Sequence, residues 1–274
     1  MNPARIVDLD RYPVDRPDEP ACQTLIASCR RDMEDQAICA LPGFVRPDVM
    51  AALQAEAEAL APRACRKDNL RTPYGWMCNA GFAPDHPRTA LFRNRSGLVL
   101  GDEFSGDSLI KAFYRWDPLT EFLRRVLGCD TLYNTACPYL SFNLGVEDEG
   151  DELGWHFDTN DGCAISLLIQ QPDEGGHFEY TPFIRSDDDE NYAEIARVFA
   201  GESTLVRRPD MTPGTLTVFR GHRSLHRVTP VGRTARPRLI ALFGYDRQPG
   251  MVYPESTLRD FRNPSPEPYY GRPG

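Results

Sequence analysis

The second half of this 274-residue chain is a series of short β-rich segments separated by turns. In order, they read TLYNT, YLSFNLGV, ELGWHFD, CAISLLIQ, HFEYTPF, STLVRR, GTLTVFR, SLHRVTPV and RLIALFGYD. Glycine, proline and aspartate are concentrated between them, as in QPDEGG and MTPG. Short strands at spacings of about 8–12 residues are typical of an antiparallel sandwich or barrel, whereas a parallel α/β sheet needs intervening helices. We therefore predict an eight-stranded jelly roll.

The first half has helical periodicity instead. Apolar residues recur at helical spacing within residues 18–40. A second helix is expected to begin at Pro47, because proline suits the first helical turn and Asp48 lies near the positive end of the helix dipole. A third helix is predicted over residues 117–128, with Asp117 as its cap and Gly128 as its end. The expected fold is mainly β with α: a jelly-roll core under an N-terminal helical layer.

We divide the chain into three parts that are expected to form one structural unit. Residues 1–129 form a helical and irregular region that packs on the barrel, and residues 130–247 form the β-rich core. Residues 248–274 are proline-rich and are expected to form an irregular arm. Within the core, the segment SDDDENYAEIARVFAGE predicts an acidic turn followed by a short amphipathic helix.

Composition limits the classes of partner. The net charge of −9 and the pI of about 5.1 disfavour nucleic acid, since such a surface repels phosphates. No segment approaches the roughly 20 apolar residues of a membrane span, and the charged N-terminus lacks a signal-peptide pattern. The eight cysteines are scattered without a CxxC pair, which excludes a zinc ribbon and favours reduced thiols. We expect a soluble, cytoplasmic protein with a small-molecule substrate; its oligomeric state is left open.

A candidate metal site is the most informative pattern. His156 and Asp158 are two residues apart on a predicted strand, so their side chains share one face while Phe157 points to the other. His226 lies on a later strand, far enough along the chain to return alongside. Two histidines and one carboxylate with open positions are the ligands of non-haem Fe(II) oxygenases.

Other histidines compete for this role. His177 and Glu179 form a second His-x-acid pair, so the doublet alone does not decide the ligand set. His222 shares strand parity with His226, but it lies in the turn RGHRS whereas His226 lies in an apolar run, which favours His226.

Two arginines follow the distal histidine. Arg236 comes where the next strand is expected to begin, and Arg238 shares its face. The planar guanidinium of either side chain could bind a carboxylate through two parallel hydrogen bonds, which lysine cannot do.

Several motifs in series resemble the 2-oxoglutarate/Fe(II)-dependent dioxygenase superfamily, whose core is a double-stranded β-helix. They are WHFD at 155–158, GGxFEY at 175–180, PGTLxVF at 213–219 and SLHRVTPV at 224–231. Arg236 follows at the family's usual interval. The resemblance covers residues 130–247.

This resemblance implies an oxygenase that consumes 2-oxoglutarate and O2 and releases succinate and CO2. Fe(II) would be held by His156, Asp158 and His226, and Arg236 is preferred over Arg238 as the partner of the cosubstrate's distal carboxylate. His177 and Glu179 would then lie near the site or at the surface. Because related halogenases have a small residue at the position of Asp158, the carboxylate there implies a hydroxylase.

Further residues are candidates for binding cosubstrate or substrate. Ser141 and Asn143 share a strand face and could donate to 2-oxoglutarate or substrate, and Trp155 could wall the metal pocket. Arg93 and Arg95 lie in a segment, 91–104, that could fold over the mouth of the site and meet an anionic substrate.

The arginines near the proposed site favour a small carboxylate-bearing substrate, such as an amino acid or a derivative of one. The alternative is a cupin-type jelly-roll metalloprotein without oxidative chemistry, either an isomerase or a small-ligand binder. Arg236 separates the two hypotheses, because it has a specific task with 2-oxoglutarate and none in the cupin.

Overall fold

The computed structural model of the chain describes residues 2–159, 162–262, 264–265 and 267–271. Parts of the expected TNDG turn and of the C-terminal arm therefore lie outside the described residues. Helices are α1 (Pro20–Gln36), α2 (Pro47–Leu60), α3 (Leu109–Tyr114), α4 (Asp117–Leu127), α5 (Tyr192–Phe199) and α6 (Glu255–Arg262). Short 3-10 turns occupy Pro3–Arg5, Ala61–Arg63 and Gly101–Glu103.

α2 begins and α4 ends where the sequence predicts, and for the predicted reasons, with one difference at the start of α4. α2 starts at Pro47 with Asp48 in its first turn, and α4 ends at Gly128, which takes a left-handed conformation with φ of 66°. Asp117 was expected as the cap of α4, but it is the first helical residue and its carboxylate lies in the first turn. There it interacts with the helix dipole and does not cap the chain.

Strands are short and numerous. They are β1 (Ile38–Leu41), β2 (Cys65–Arg71), β3 (Phe92–Val99), β4 (Tyr133–Asn134), β5 (Phe142–Glu147), β6 (Glu152–His156), β7 (Ala164–Gln170), β8 (Phe178–Tyr180), β9 (Leu216–Phe219), β10 (His226–Val228), β11 (Arg238–Phe243) and β12 (Tyr245–Asp246).

Ten of the strands in the described residues form one curled antiparallel sheet. The hydrogen-bonded order is β1-β9-β7-β11-β5-β3-β6-β10-β8, with β2 attached to β3, and β12 pairs separately with β4. The non-sequential order is that of a jelly roll and confirms the predicted fold class. β3 pairs with both β5 and β6 and so joins the two halves of the sheet.

From its sequence, the segment 91–104 could fold over the mouth of the site or form a solvated loop; the structure has a strand there instead. Most of it is β3, which is hydrogen-bonded on both sides within the sheet. The N-terminal half therefore contributes strands as well as helices.

Alternation along the strands gives the sheet two distinct faces. Leu239, Ala241 and Phe243 of β11 belong to a core that also contains buried residues of α1, α2 and α4. Leu242 and Asn143 are paired in register on β11 and β5, and they line a cavity on the other face. The helices thus support one side of the sheet, while the other side is available for a site.

Within the described part of the chain, no helix is both long and apolar enough to cross a membrane. All eight cysteines lie in that part, and each is a free thiol.

Candidate active site

Three potential metal ligands meet where β6 ends and β10 begins. His156 is the last residue of β6 and His226 the first of β10, and the two are direct partners in the register. Asp158 follows two residues after His156. One ligand atom from each of the three residues lies within 4.8 Å of the others. His226 Nε2 lies 3.6 Å from Asp158 Oδ1.

Backbone carbonyls orient both imidazole rings. His156 Nδ1 lies 2.8 Å from the carbonyl oxygen of Gly154, and His226 Nδ1 lies 2.9 Å from that of Ser224. A carbonyl oxygen only accepts hydrogen bonds, so each Nδ1 must carry the proton and donate it. The Nε2 lone pairs are left free, which is the tautomer that a metal-binding histidine requires.

The charges of the three groups also fit a metal cation. Burial, assisted by His226, lowers the pKa of His156 to about 3, and burial lowers the pKa of His226 to about 4. Both rings are therefore neutral near pH 7. Asp158 Oδ2 is buried without a hydrogen-bond partner among the described residues, and burial raises the pKa of this carboxyl. An unpaired buried carboxylate is costly, and a divalent ion would supply the missing interaction.

Gly221 lets the turn before β10 lie directly against Asp158. The backbone N–H of Asp158 donates to the carbonyl of Gly221 over 3.1 Å. A Cβ atom on Gly221 would lie 1.9 Å from Asp158 Oδ2 and 2.9 Å from His226 Cε1. No side chain fits there. No sequence pattern indicates this role, since Gly221 is simply a glycine in the turn RGHRS.

A cavity of about 410 Å³ opens beside His156 and Asp158. Strands β2, β3, β5, β6, β7 and β11 and the C-terminal arm contribute to its wall. The residues that line it include Arg71, Arg93, Asn94, Asn143, Trp155 and Leu242. The volume suits a small organic molecule.

Polar groups without partners face this cavity. Asn94 Oδ1 and Asn143 Oδ1 are buried and form no hydrogen bond with any described residue. The guanidinium of Arg71 likewise has no hydrogen-bond or ion-pair partner in the described part of the chain; it lies 5.4 Å from the centre of the Tyr269 ring. Arg93 also lines the cavity, but Asp68 binds it through two bonds of 3.0 and 2.9 Å. Arg71 is thus the cation that the cavity offers to a ligand.

Other sequence candidates lie elsewhere. Ser141 precedes β5, so strand parity with Asn143 does not apply, and its carbonyl accepts from Gly244 N–H at 2.7 Å. Arg95 is paired at 3.0 Å with the buried Asp151, away from the cavity. Trp155 borders the cavity but is only 4% exposed, packed within an aromatic cluster and covered by Arg227.

The arginines after His226 occupy different environments from those expected. The side chain of Arg236 is 57% exposed in a bend before β11, and its nearest carboxylate, Asp173, is 4.0 Å away. It lies outside the lining of the metal cavity, as Arg238 also does. Because β11 begins only at Arg238, that residue is the one directed inward, where it is buried and forms a 3.0 Å ion pair with Glu147.

The rival histidines do not join the ligand group. His177 is exposed, and Glu179 binds Arg208 and Arg227 at 2.6 and 2.7 Å. His222 places its Nδ1 3.2 Å from the backbone carbonyl of Asp158, so it touches the site without facing the ligand atoms.

Solved structures with this fold include several oxygenases. EctD from S. alaskensis, solved with 2-oxoglutarate and 5-hydroxyectoine, is 19% identical with a TM-score of 0.52, over 90% of this chain and 87% of that one. A Pseudomonas putida prolyl-4-hydroxylase is 16% identical with a TM-score of 0.50, over 82% and 100%. The epimerase SnoN, solved with Fe3+, alpha ketoglutarate and nogalamycin RO, is 12% identical with a TM-score of 0.54, over 81% and 84%. At these identities the likeness shows the fold.

This chain thus shares its fold with these solved structures, and it carries a His-Asp-His group at the mouth of the jelly roll. The family model for Halogenase D matches residues 95–256, which is more than half of the chain. The chain belongs to the Halogenase D family. No curated protein matches the chain in sequence.

Proposed function

We propose that the protein is an oxygenase that uses Fe(II), 2-oxoglutarate and O2, with the iron held by His156, Asp158 and His226. The observation that carries this proposal is the convergence of two correctly oriented Nε2 atoms and one unpaired carboxylate within 4.8 Å. When bound, the iron and cosubstrate supply the oxidising power for C–H cleavage. The balanced reaction converts a C–H bond, O2 and 2-oxoglutarate into C–OH, succinate and CO2.

The proposed outcome is hydroxylation, even though the family is named for a halogenase. Asp158 is the reason. In related halogenases a small residue at this position leaves room for a halide ion on the metal. Here a carboxylate lies 3.6 Å from His226 Nε2, where it would occupy the metal position that a halide needs.

The proposed substrate is a small molecule that carries a carboxylate, such as an amino acid or a derivative of one. Arg71 supports this proposal, because its guanidinium faces the metal cavity with no carboxylate partner among the described residues. Asn94 and Asn143 add uncommitted amide groups that can bind a second polar group of the same molecule. A buried guanidinium is most stable when a ligand supplies its counter-charge.

We assign the distal carboxylate of 2-oxoglutarate to Arg238. This side chain lies on the same face of β11 as Leu242, which borders the metal cavity. Its ion pair with Glu147 would have to be shared with the cosubstrate. Arg71 would then be left for the substrate.

Product analysis tests the proposal directly. The protein is incubated with Fe(II), 2-oxoglutarate, O2, chloride and a panel of amino acids, and products are read by mass. Gain of one oxygen atom, coupled to succinate, is the expected result. Replacement of hydrogen by chlorine would contradict the role given to Asp158, and a protein that binds metal but never forms succinate would favour the cupin-type alternative.

Arg71→Met tests the substrate assignment separately. The variant should need a far higher concentration of the amino-acid substrate for half-maximal rate. The 2-oxoglutarate concentration for half-maximal rate should stay close to that of wild type. If only the 2-oxoglutarate concentration for half-maximal rate changed, Arg71 would be assigned to binding 2-oxoglutarate and not the substrate.

A further inference from the structure

We propose that Arg185 is a positioning residue that holds Asp158 in a metal-binding orientation, acting through the carbonyl group of His222. The inference rests on the proposed metal site and concerns how the protein builds it. Arg185 lies outside the sequence motifs that carry the family resemblance, in the segment between β8 and α5.

Arg185 is buried and fixed on two sides. Its side chain is only 5% exposed. Nε donates to the carbonyl oxygen of His222 over 2.8 Å, and one terminal nitrogen donates to both carboxylate oxygens of Glu190 at 3.1 and 3.2 Å. Charge-assisted bonds in a buried setting are strong and directional. The His222 carbonyl is therefore held in one place.

The same guanidinium packs behind the metal-binding segment. Its central carbon lies 4.3 Å from the centre of the Phe157 ring and 5.1 Å from that of Trp76. Phe157 lies between His156 and Asp158, just after the end of β6. Its side chain packs in a buried hydrophobic cluster with Tyr74 and Trp155. Arg185 thus contacts the back of the ligand segment through Phe157 and the turn beside it through His222.

That turn forms a wall against Asp158. Gly221, next to His222, accepts the backbone N–H of Asp158 at 3.1 Å and leaves no space for even a Cβ atom beside Oδ2. His222 Nδ1 lies 3.2 Å from the Asp158 carbonyl. Since Oδ2 has no hydrogen bond of its own among the described residues, the wall is what sets the direction of the carboxylate.

Loss of the Arg185 guanidinium should therefore weaken metal binding. Residues that orient metal ligands from outside the coordination sphere typically contribute about 10–100-fold to metal affinity. Arg185→Met keeps much of the side-chain volume but removes the donors, and Arg185→Lys restores a positive charge with one donor group. Arg223→Met is the matched control, because Arg223 is a neighbour of the same type whose exposed side chain pairs with Asp187.

The experiment is a titration of the metal-free proteins with Co(II), followed by its visible absorption, with melting temperatures measured in parallel. We expect Arg185→Met to bind Co(II) about 10–100-fold more weakly than wild type, with an altered spectrum. Arg185→Lys should lie between the two, and Arg223→Met should match wild type. A purely structural Arg185 would lower the melting temperature but leave the affinity and spectrum of the folded protein unchanged, which would overturn the inference.

Two further outcomes keep the hypotheses distinct. If wild type binds no Co(II), the proposed metal site itself fails. If Arg185→Met does not fold, Glu190→Gln replaces it, because this change loosens the guanidinium without removing it. That variant should show a smaller loss of affinity in the same direction, and wild-type affinity in it would refute the positioning role.

Discussion

Gly221→Ala should disable the active site while adding only one methyl group. The added Cβ would lie 1.9 Å from Asp158 Oδ2, whereas Cβ atoms in proteins essentially never approach closer than 3.0 Å. The carboxylate or the turn must therefore move by about 1 Å, and the same Cβ also crowds His226 Cε1 at 2.9 Å. A misplacement of about 1 Å in a catalytic site can cost on the order of 100-fold in rate.

The assay for this variant combines Co(II) affinity with the rate of succinate formation from 2-oxoglutarate. We expect both to fall strongly in Gly221→Ala. Gly106→Ala is the control, since a Cβ atom there meets nothing within 4 Å and its backbone is not left-handed. Wild-type affinity and rate in both variants would refute the reasoning, because Asp158 would then tolerate a displaced turn.

Three other predictions concern the same site. Asp158→Ala should abolish succinate formation with the fold intact, as judged by circular dichroism; retained turnover would remove Asp158 from the ligand set. Arg238→Met should raise the 2-oxoglutarate concentration for half-maximal rate far more than the exposed Arg236→Met does, and the reverse order would restore Arg236 as the anchor. Because the pKa values of His156 and His226 are about 3 and 4 in the fold and near 6.5 when unfolded, the unfolded chain gains protons first as the pH falls. The metal-free protein should lose up to about 1.4 kcal/mol per histidine for each pH unit below 6.5, down to the folded pKa values. Denaturant melts across this range would show it, and a flat profile would contradict the burial of these rings.

Strand periodicity carried most of what could be foreseen. The two-residue spacing predicted that His156 and Asp158 face one metal, and they do meet, although β6 ends at His156 and Asp158 lies just beyond it. The apolar run around His226 distinguished it from His222. The structure brings His156, Asp158 and His226 together. These features depend on local alternation, which a sequence records directly.

What the sequence failed to reveal depends on strand boundaries and on long-range contact. Ser141 was assigned by strand parity, but β5 begins at Phe142, so parity does not extend to it. Arg236 was preferred on the resemblance, and the structure places it before β11, which begins at Arg238. β2, with the sequence CRKDNLR, has no apolar alternation, because one face is exposed and the other is only half-buried. Arg71, the residue of β2 that lines the cavity, was missed for that reason. The fit of Gly221 against Asp158 joins segments remote in sequence, which no local pattern records.

Anaerobic spectroscopy tests the central claim most directly. Fe(II) and then 2-oxoglutarate are added to the metal-free protein under argon, with Asp158→Ala as the comparison. A weak visible charge-transfer band should form in wild type only when both are present, and it should be lost or shifted in the variant. A wild-type protein that binds Fe(II) tightly but never develops this band would contradict an oxygenase that chelates 2-oxoglutarate at His156, Asp158 and His226.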